Sequence, residues 1–357
     1  MSTPPTLCLV GFGWFAEQLV RRVFSTIQEV SVVAVIDRDA TRRSCAIELG
    51  LKAAESVDEV LGMTHIDAVV VLTPHDTHRE IVVDAAGRGL HVFCEKAFAV
   101  TPSDCVDMIM ACRRNKVHLS VGHMQRLFPT HACAIEIASS GRYGRVAAVQ
   151  VQGMHWCPTF PGWWRTRSGC GGLLHWTGIH DLDTVRALVG SDAVTTVAMA
   201  GPKFDDRNEY DDSLAALIRH ANGAVTSLAV TTYDPLRTFE ESFDLHVLFE
   251  HGSLAVSPGA GTVTHASRRG DEPGEPTVER FGTFAEIEEQ AYRHEFRLFG
   301  ELLTTGVSPR LHGIPVLDPV EALRCVELLE SIERSIESGG IEDVHQNDVN
   351  QHEESRT

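Results

Sequence analysis

Lysine is scarce in this chain: of 31 basic residues only Lys52, Lys96, Lys116 and Lys203 are lysines. Long apolar runs are missing too, and none approaches the ~20 residues that a membrane-spanning helix needs. The start lacks the basic, apolar-cored pattern of a secretory signal, because residues 7–10 lead straight into Gly11 and Gly13. Membrane spanning is therefore not expected, and a cytoplasmic location is. The nine cysteines are odd in number, scattered from Cys8 to Cys325, and contain no C-x-x-C pair. That pattern excludes a disulfide framework or zinc knuckle and fits small buried hydrophobes in a reducing compartment. Against 49 acidic residues the cations leave a net charge of −18. Such a field repels nucleic-acid phosphates and anionic lipid, so neither is expected as a partner. Part of the charge lies beyond Ile341, where Glu342, Asp343, Asp348, Glu353 and Glu354 stand against Arg356 alone; 341–357 is expected to be a disordered acidic tail.

What is present is ordinary globular composition, with 43% hydrophobic and 22% charged residues. A chain of 357 residues exceeds what one core organises, so two domains are expected. Over 1–125 strand and helix signals alternate. Apolar or β-branched runs stand at 6–10, 30–37, 68–72, 91–94 and 117–121. Between them, Phe15, Leu19, Val23 and Ile27 recur every four residues, Ser56 and Glu59 form a capping box, and Thr101-Pro102 opens a further helix. The alternation implies right-handed crossovers and an α/β, doubly wound parallel sheet. Over 126–340 the pattern changes to helices at 129–140 and 173–189, strands around the Asn222-Gly223 hairpin turn, and two closing helices. Tyr292, Phe296, Phe299 and Leu303 mark the first closing helix, and Asp318-Pro319 starts the second. This half reads as α+β, with a mostly antiparallel sheet covered on one face.

Gly11-Phe12-Gly13-Trp14-Phe15-Ala16 is G-x-G-x-x-A, leaving a predicted strand and opening a predicted helix. The first glycine permits a tight turn, and the second lets backbone approach a pyrophosphate at the helix N-terminus. Asp37 ends the second strand 21 residues past Ala16, where a carboxylate accepts hydrogen bonds from an adenosine ribose. Its charge favours NAD over NADP; Arg38, Arg42 and Arg43 keep NADP open, since an arginine there can clasp a 2′-phosphate.

Further motifs follow in order: Thr73-Pro74 with His78, Glu95-Lys96 at the end of the fifth strand, Trp164-Arg165, Gly171-Gly172, then Gly178-Ile179-His180 with Asp183 three residues on. With the glycine motif these make the sequence resemble the glucose–fructose oxidoreductase / inositol dehydrogenase / rhizopine-catabolism (Gfo/Idh/MocA) family from about Thr6 to Gly339. The resemblance implies an α/β Rossmann domain plus an α+β C-terminal domain with an open-faced, mostly antiparallel sheet. It also implies homodimers or homotetramers, and NAD(P)-dependent hydride transfer at a hydroxyl or ketone carbon of a sugar, sugar derivative or cyclitol. Carried onto this chain, the cofactor set becomes Gly11, Phe12, Gly13, Trp14, Phe15, Asp37, Arg38, Thr73, Pro74, His78, Glu95 and Lys96. Two departures stand out. The family's Glu-Lys-Pro is Glu95-Lys96-Ala97, and its catalytic aspartate, four residues before the histidine, is Trp176.

Lys96 follows the carboxyl end of a parallel strand, where open α/β sheets bind their ligands. In so lysine-poor a chain it points to a titratable ammonium as principal acid/base, with Glu95 holding it or contacting the nicotinamide ribose. Trp176, His180 and Asp183 share a helix face by i, i+4 and i, i+3 spacing. His180 is then a second acid/base, Asp183 its orienting partner, and Trp176 an apolar wall. His175 is turned about 100° from Trp176. No metal is expected, because of His175, His180, Asp181 and Asp183 only His180 and Asp183 share that face. Trp156, Trp163, Trp164 and Trp176 concentrate aromatic faces suited either to sugar C–H surfaces or to a core or subunit contact. Lys96, His155, Trp164, Arg165, Trp176 and His180 form the expected substrate set. The missing aspartate keeps two alternatives open: a redox-neutral epimerase or lyase with retained NAD, and a non-catalytic dinucleotide-binding regulator.

Overall fold

The computed structural model describes residues 3–154, 162–234, 243–270 and 272–349. The N-terminal half runs β1 (Thr6–Val10), α1 (Trp14–Leu19), β2 (Ser31–Ile36), α2 (Ala40–Glu48), β3 (Lys52–Ala54), α3 (Val57–Met63), β4 (Ala68–Val71), α4 (His78–Gly87), β5 (His91–Glu95), α5 (Pro102–Arg114) and β6 (Leu119–Gly122). Its six strands are all parallel, in the order β3-β2-β1-β4-β5-β6. Helices cover both faces, which is why β4 is apolar at every position and buried throughout. The strand order reverses between β1 and β4, so a crevice opens beyond their carboxyl ends, the usual ligand position of such a sheet.

The C-terminal half continues with α6 (Pro129–Ser139), β7 (Val146–Met154), α7 (Arg167–Cys170), α8 (Ile179–Val189), β8 (Ala193–Ala200), β9 (Ser213–His220), β10 (Val225–Thr231), β11 (Phe243–Phe249), β12 (Gly252–Ser257), β13 (Thr262–Arg269), β14 (Glu272–Pro273), β15 (Thr277–Arg280), α9 (Phe284–Thr305), β16 (Arg310–Leu311), β17 (Ile314–Pro315), α10 (Pro319–Ser338) and β18 (Glu342–Asp343). A large sheet runs β14-β13-β12-β11-β7-β10-β9-β8-β18, and only β7 and β10 pair in parallel. The β9–β10 hairpin turns at Asn222-Gly223, as its residues demand. One face takes α8 and α10, with Ala198 N–H donating to Ser335 Oγ at 2.9 Å. The other face presents Met199 (75% exposed) and Leu217 (51%).

The parallel sheet ends at Gly122 and the large sheet begins at Val146, but the cores do not divide there. Phe296 and Phe299 of α9 lie on Phe93 of β5, with ring centroids 4.8 and 5.4 Å away. Gly300 lets α9 close against the first domain, since a Cβ there would stand 2.6 Å from the Glu29 carbonyl. One hydrophobic cluster thus joins Leu7, Leu9 and Phe93 to Ile287, Phe296 and Phe299.

Over 341–349 the tail departs from expectation, while 350–357, with Glu353, Glu354 and Arg356, lies outside the described residues. Glu342 and Asp343 pair antiparallel with Thr196 and Thr195 on the edge of the large sheet. Arg113 donates to the Val349 carbonyl at 2.9 Å, and Val349 is buried. Arg334 lies 3.6 Å from Glu342, so ion pairing offsets acidity that composition alone had assigned to solvent.

Inside the shared core, Glu295 of α9 is fully buried, and among the described residues neither carboxyl oxygen has a hydrogen-bond partner. Burial first, then the nearby Glu95 carboxylate, push its pKa well above the ordinary value of 4.5. A raised folded-state pKa means the folded protein binds more protons than the unfolded chain. Stability contributed by the protonated form is complete below about 4.5 and is lost as pH rises toward the folded value. Glu295→Met should therefore flatten this loss, gaining on the wild type by up to about 1.4 kcal/mol per pH unit across that window. Urea unfolding at pH 5 and pH 8 checks it, and parallel losses in both proteins would refute it.

Candidate active site

Gly11 turns at φ +91°, and a Cβ there would meet the Leu72 carbonyl at 2.9 Å, so glycine is required. Gly13 precedes α1 in extended conformation; no side chain caps the helix, and a Cβ on Gly13 would find open space. Asp37 shapes this loop: its Oδ2 accepts from Phe12 N–H at 2.7 Å and its Oδ1 from Asp39 N–H at 2.8 Å. Each carboxylate oxygen retains a further acceptor site for ribose hydroxyls. Arg43 is turned back onto the Asp37 and Arg38 carbonyls and pairs with Glu55 at 2.6 Å, whereas Arg38 is exposed. Trp14 is 70% exposed, and Phe15 packs on Tyr292 at 5.5 Å.

A dinucleotide fits these residues: unpaired N–H donors at the helix start and an open glycine step for pyrophosphate, and an acid at the end of β2 for ribose. At the other end of the crevice, Glu95 Oε1 is buried without a partner among the described residues, while Oε2 accepts from Lys96 N–H at 3.1 Å. Burial raises the Glu95 pKa to about 7 against the opposing pull of Lys96.

Lys96 stands just past β5, half-buried, and its Nζ donates to the Trp176 carbonyl at 2.7 Å. Trp176 therefore meets the lysine through its backbone oxygen rather than through its side chain. Burial lowers the Lys96 pKa from its ordinary value, with Glu95 opposing. Trp176 lies in a π-helical turn over Leu174–Gly178 that leads into α8. Its ring meets Trp164 at 5.4 Å, and Trp164 meets Trp163 at 5.3 Å. His180 is buried in the first turn of α8, four residues beyond the carbonyl that holds Lys96.

Other expected members go elsewhere. Asp183 does not turn toward the imidazole: its Oδ2 accepts from Arg126 Nε at 2.7 Å, and Arg126 also reaches the Pro315 carbonyl and Glu321. Arg165 is held by Asp205 and Asn208, each at 3.0 Å. His175 meets the Val100 carbonyl at 3.1 Å, and burial lowers its pKa to about 4. His78 is fully buried, bridging the Thr73 carbonyl (2.9 Å) and the Phe98 carbonyl (3.2 Å); with Thr73 and Pro74 it shapes the crevice wall. His155 and Trp156 fall outside the described residues. Among the described residues no group of three His, Cys, Asp or Glu could hold a metal, and no helix is long and apolar enough to cross a membrane.

Sequence reasoning passed over His75, Arg126 and Glu295. His75 sits inside the quoted Thr73-to-His78 stretch, but nothing in its neighbours marks it. The buried Arg126–Asp183 pair joins residues 57 apart in sequence, beyond any local pattern.

Comparison with known proteins accords with this geometry. Residues 6–123 match the model of an oxidoreductase family with an NAD-binding Rossmann fold, and residues 131–255 match the GFO/IDH/MocA C-terminal domain. The chain is 30% identical to 1,5-anhydro-D-fructose reductase of Ensifer adhaerens over 67% of its own length and 74% of that protein. It is 34% identical to an uncharacterized oxidoreductase of Streptococcus pneumoniae over 57% of its own length, spanning about half (54%) of that relative. An oxidoreductase from Agrobacterium radiobacter, solved with NAD+, L-tartaric acid and magnesium, superposes with a TM-score of 0.83 at 20% identity, covering 96% of this chain and 99% of that one. With both halves matched in order and one relative at 30% identity covered over 74% of its length, the chain belongs to the Gfo/Idh/MocA oxidoreductase family.

Proposed function

We propose that the protein is an NAD-dependent oxidoreductase acting on a hydroxyl or ketone carbon of a sugar, sugar derivative or cyclitol, with Lys96 as the proton-carrying group. The observation that supports this most is the Lys96 ammonium, seated on the Trp176 carbonyl at 2.7 Å at the mouth of the crevice and depressed in pKa by burial. Bound nicotinamide supplies the hydride acceptor or donor. In the oxidative direction the neutral Lys96 amine hydrogen-bonds the substrate hydroxyl and takes its proton; in the reductive direction the ammonium returns it. Glu95 already favours the ammonium, and a second carboxylate in place of the Trp176 carbonyl would favour it further, so the backbone oxygen leaves the amine form easier to reach. His180, one turn beyond that carbonyl, is the second proton-exchanging group, and the tilted, packed rings of Trp164 and Trp176 supply an apolar wall for the C–H surface of a sugar ring. A panel of sugars and cyclitols with NAD+ or NADH tests this reading, with net NADH formed or consumed as the expected result. Conversion without net NADH would favour retained NAD, and NADH binding without conversion across the panel would overturn the enzymatic reading.

Asp37 sets the nucleotide preference. Asp37→Ala should weaken NADH binding by about tenfold, the loss of charge-assisted hydrogen bonds to ribose, while shifting preference toward NADPH. Fluorescence titration of both nucleotides checks this; an unchanged ratio of affinities would refute it.

The open sheet face supports self-association of a cytoplasmic homodimer or homotetramer. Met199, Leu217 and Leu248 line one face at 75%, 51% and 48% exposure, a surface a second copy would cover. Leu217→Glu should lower the sedimentation mass to that of a monomer. An unchanged mass would place the contact elsewhere.

A further inference from the structure

We infer that His75 is the positioning residue for Lys96, acting as a neutral imidazole that ties the turn after β5 to the second domain; the inference rests on Lys96 being the proton-carrying group. His75 follows β4 and is 6% exposed. Its two ring nitrogens meet groups of opposite kind. Ala97 N–H, one residue past Lys96, donates to Nε2 at 3.2 Å, so Nε2 must present a lone pair. Nδ1 lies 2.8 Å from the Cys170 carbonyl, an acceptor only, so Nδ1 must carry the proton. A single neutral tautomer satisfies both bonds. An imidazolium would set a second N–H against the Ala97 N–H and lose that bond.

The surroundings disfavour the charged form as well. Burial, His78, Lys96 and His175 all hold the His75 pKa below its ordinary value, with only the Cys170 carbonyl opposing. Rings fix the imidazole from two sides: His78 lies 5.6 Å away and Trp163 5.4 Å away, both edge-on.

The consequence lies one residue upstream. Cys170 ends α7 in the second domain, and Ala97 belongs to the first. The His75 ring therefore spans the same junction that the Lys96 side chain crosses to reach the Trp176 carbonyl. Backbone and ammonium of Lys96 are each anchored across the junction, and removing the first anchor leaves the second to drift. A misplacement of about 1 Å in a reacting group is enough to cost about 10²-fold in rate.

Three substitutions in the full chain separate positioning from packing. The Gln amide oxygen extends as far as Nε2 and can accept from Ala97; Asn reaches only toward Cys170; Leu does neither. Relative to wild type, His75→Leu and His75→Asn should lose about 10²-fold in kcat, and His75→Gln no more than about fivefold, each with NADH affinity unchanged within about twofold. Lysine labelled with carbon-13 at Cε gives four resonances in cofactor-free protein, and Lys96→Met identifies the one from Lys96. In His75→Leu and His75→Asn that resonance should shift and titrate closer to an ordinary lysine, while in His75→Gln it stays near wild type. Equal kcat in all three variants, or an unmoved Lys96 resonance in His75→Leu, would overturn the inference. If Leu fails to fold, the contrast of Gln with Asn decides it. An active Lys96→Met protein would overturn the role of Lys96 in catalysis, and the resonance would still decide whether His75 positions it.

Discussion

Lys96→Met will lower kcat by about 10²–10⁴-fold, the range that a positioned proton-transfer group contributes. NADH affinity should stay within about threefold, because in the proposed site the glycine loop and Asp37 would hold the pyrophosphate and adenosine ribose. Methionine keeps the length and apolar stem of lysine, so the side-chain volume is retained. It removes the 2.7 Å hydrogen bond from the ammonium to the Trp176 carbonyl, a loss of about 1.5–3 kcal/mol that thermal unfolding reads separately from activity. Lys96→Arg should not rescue, since a guanidinium does not give up its proton near neutral pH. Steady-state kinetics with the substrate found by the panel decides the matter. A Lys96→Met protein with more than a tenth of wild-type kcat would remove Lys96 from the chemistry.

Asp183→Leu will destabilise the protein by about 3 kcal/mol, because it takes from a buried guanidinium its nearest carboxylate and leaves it only Glu321 and a backbone carbonyl. Arg126 and Asp183 are both buried, 2.7 Å apart, and the same arginine reaches Glu321 at 3.2 Å and the Pro315 carbonyl at 2.8 Å. The network clamps the segment after β6 to α8 and to the start of α10. Pairing the change with Arg126→Met should recover much of the loss, since two apolar residues need no compensating charge. Urea unfolding of the two single variants and the double variant measures the coupling. The result also tests the assignment of Asp183. A catalytic orienter of His180 would lose kcat with little change in stability, whereas the clamp loses stability first. Additive losses in the cycle would show that the pair is not coupled.

The elements themselves were legible because each carries its reason locally. Parallel strands covered on both faces must be apolar throughout, as in β4. Capping residues announce helix starts, and Asp318 does accept from the Val320 and Glu321 amides. Asn222-Gly223 favours the turn that a hairpin requires. The glycine loop was legible for the same reason, since its chemistry is carried by backbone within a few residues. The acid at the end of β2 could be placed by counting.

Side-chain partners were not legible in this way. Helix periodicity correctly put Asp183 three residues after His180, yet the carboxylate goes to Arg126 because that guanidinium is buried beside it and must be compensated. Arg165 was assigned to substrate by its place beside tryptophans, but Asp205 and Asn208 fold back to hold it. The acidic tail at 341–357 looked solvated by composition, and over 341–349 Arg334, Arg113 and the open edge of β8 draw it onto the fold.

By itself, then, the sequence determined the doubly wound parallel sheet, the glycine turn before α1 with Asp37 at the end of β2, the mostly antiparallel second sheet, and the isolation of Lys96 among few lysines. Periodicity, turn chemistry and composition act over a handful of residues and survive in one dimension. Only the tertiary structure decided that the Trp176 carbonyl seats Lys96, that His75 spans the junction, and that Asp183 pairs with Arg126. Those contacts depend on desolvation and distance between segments 80, 95 and 57 residues apart, which the folded chain alone brings together.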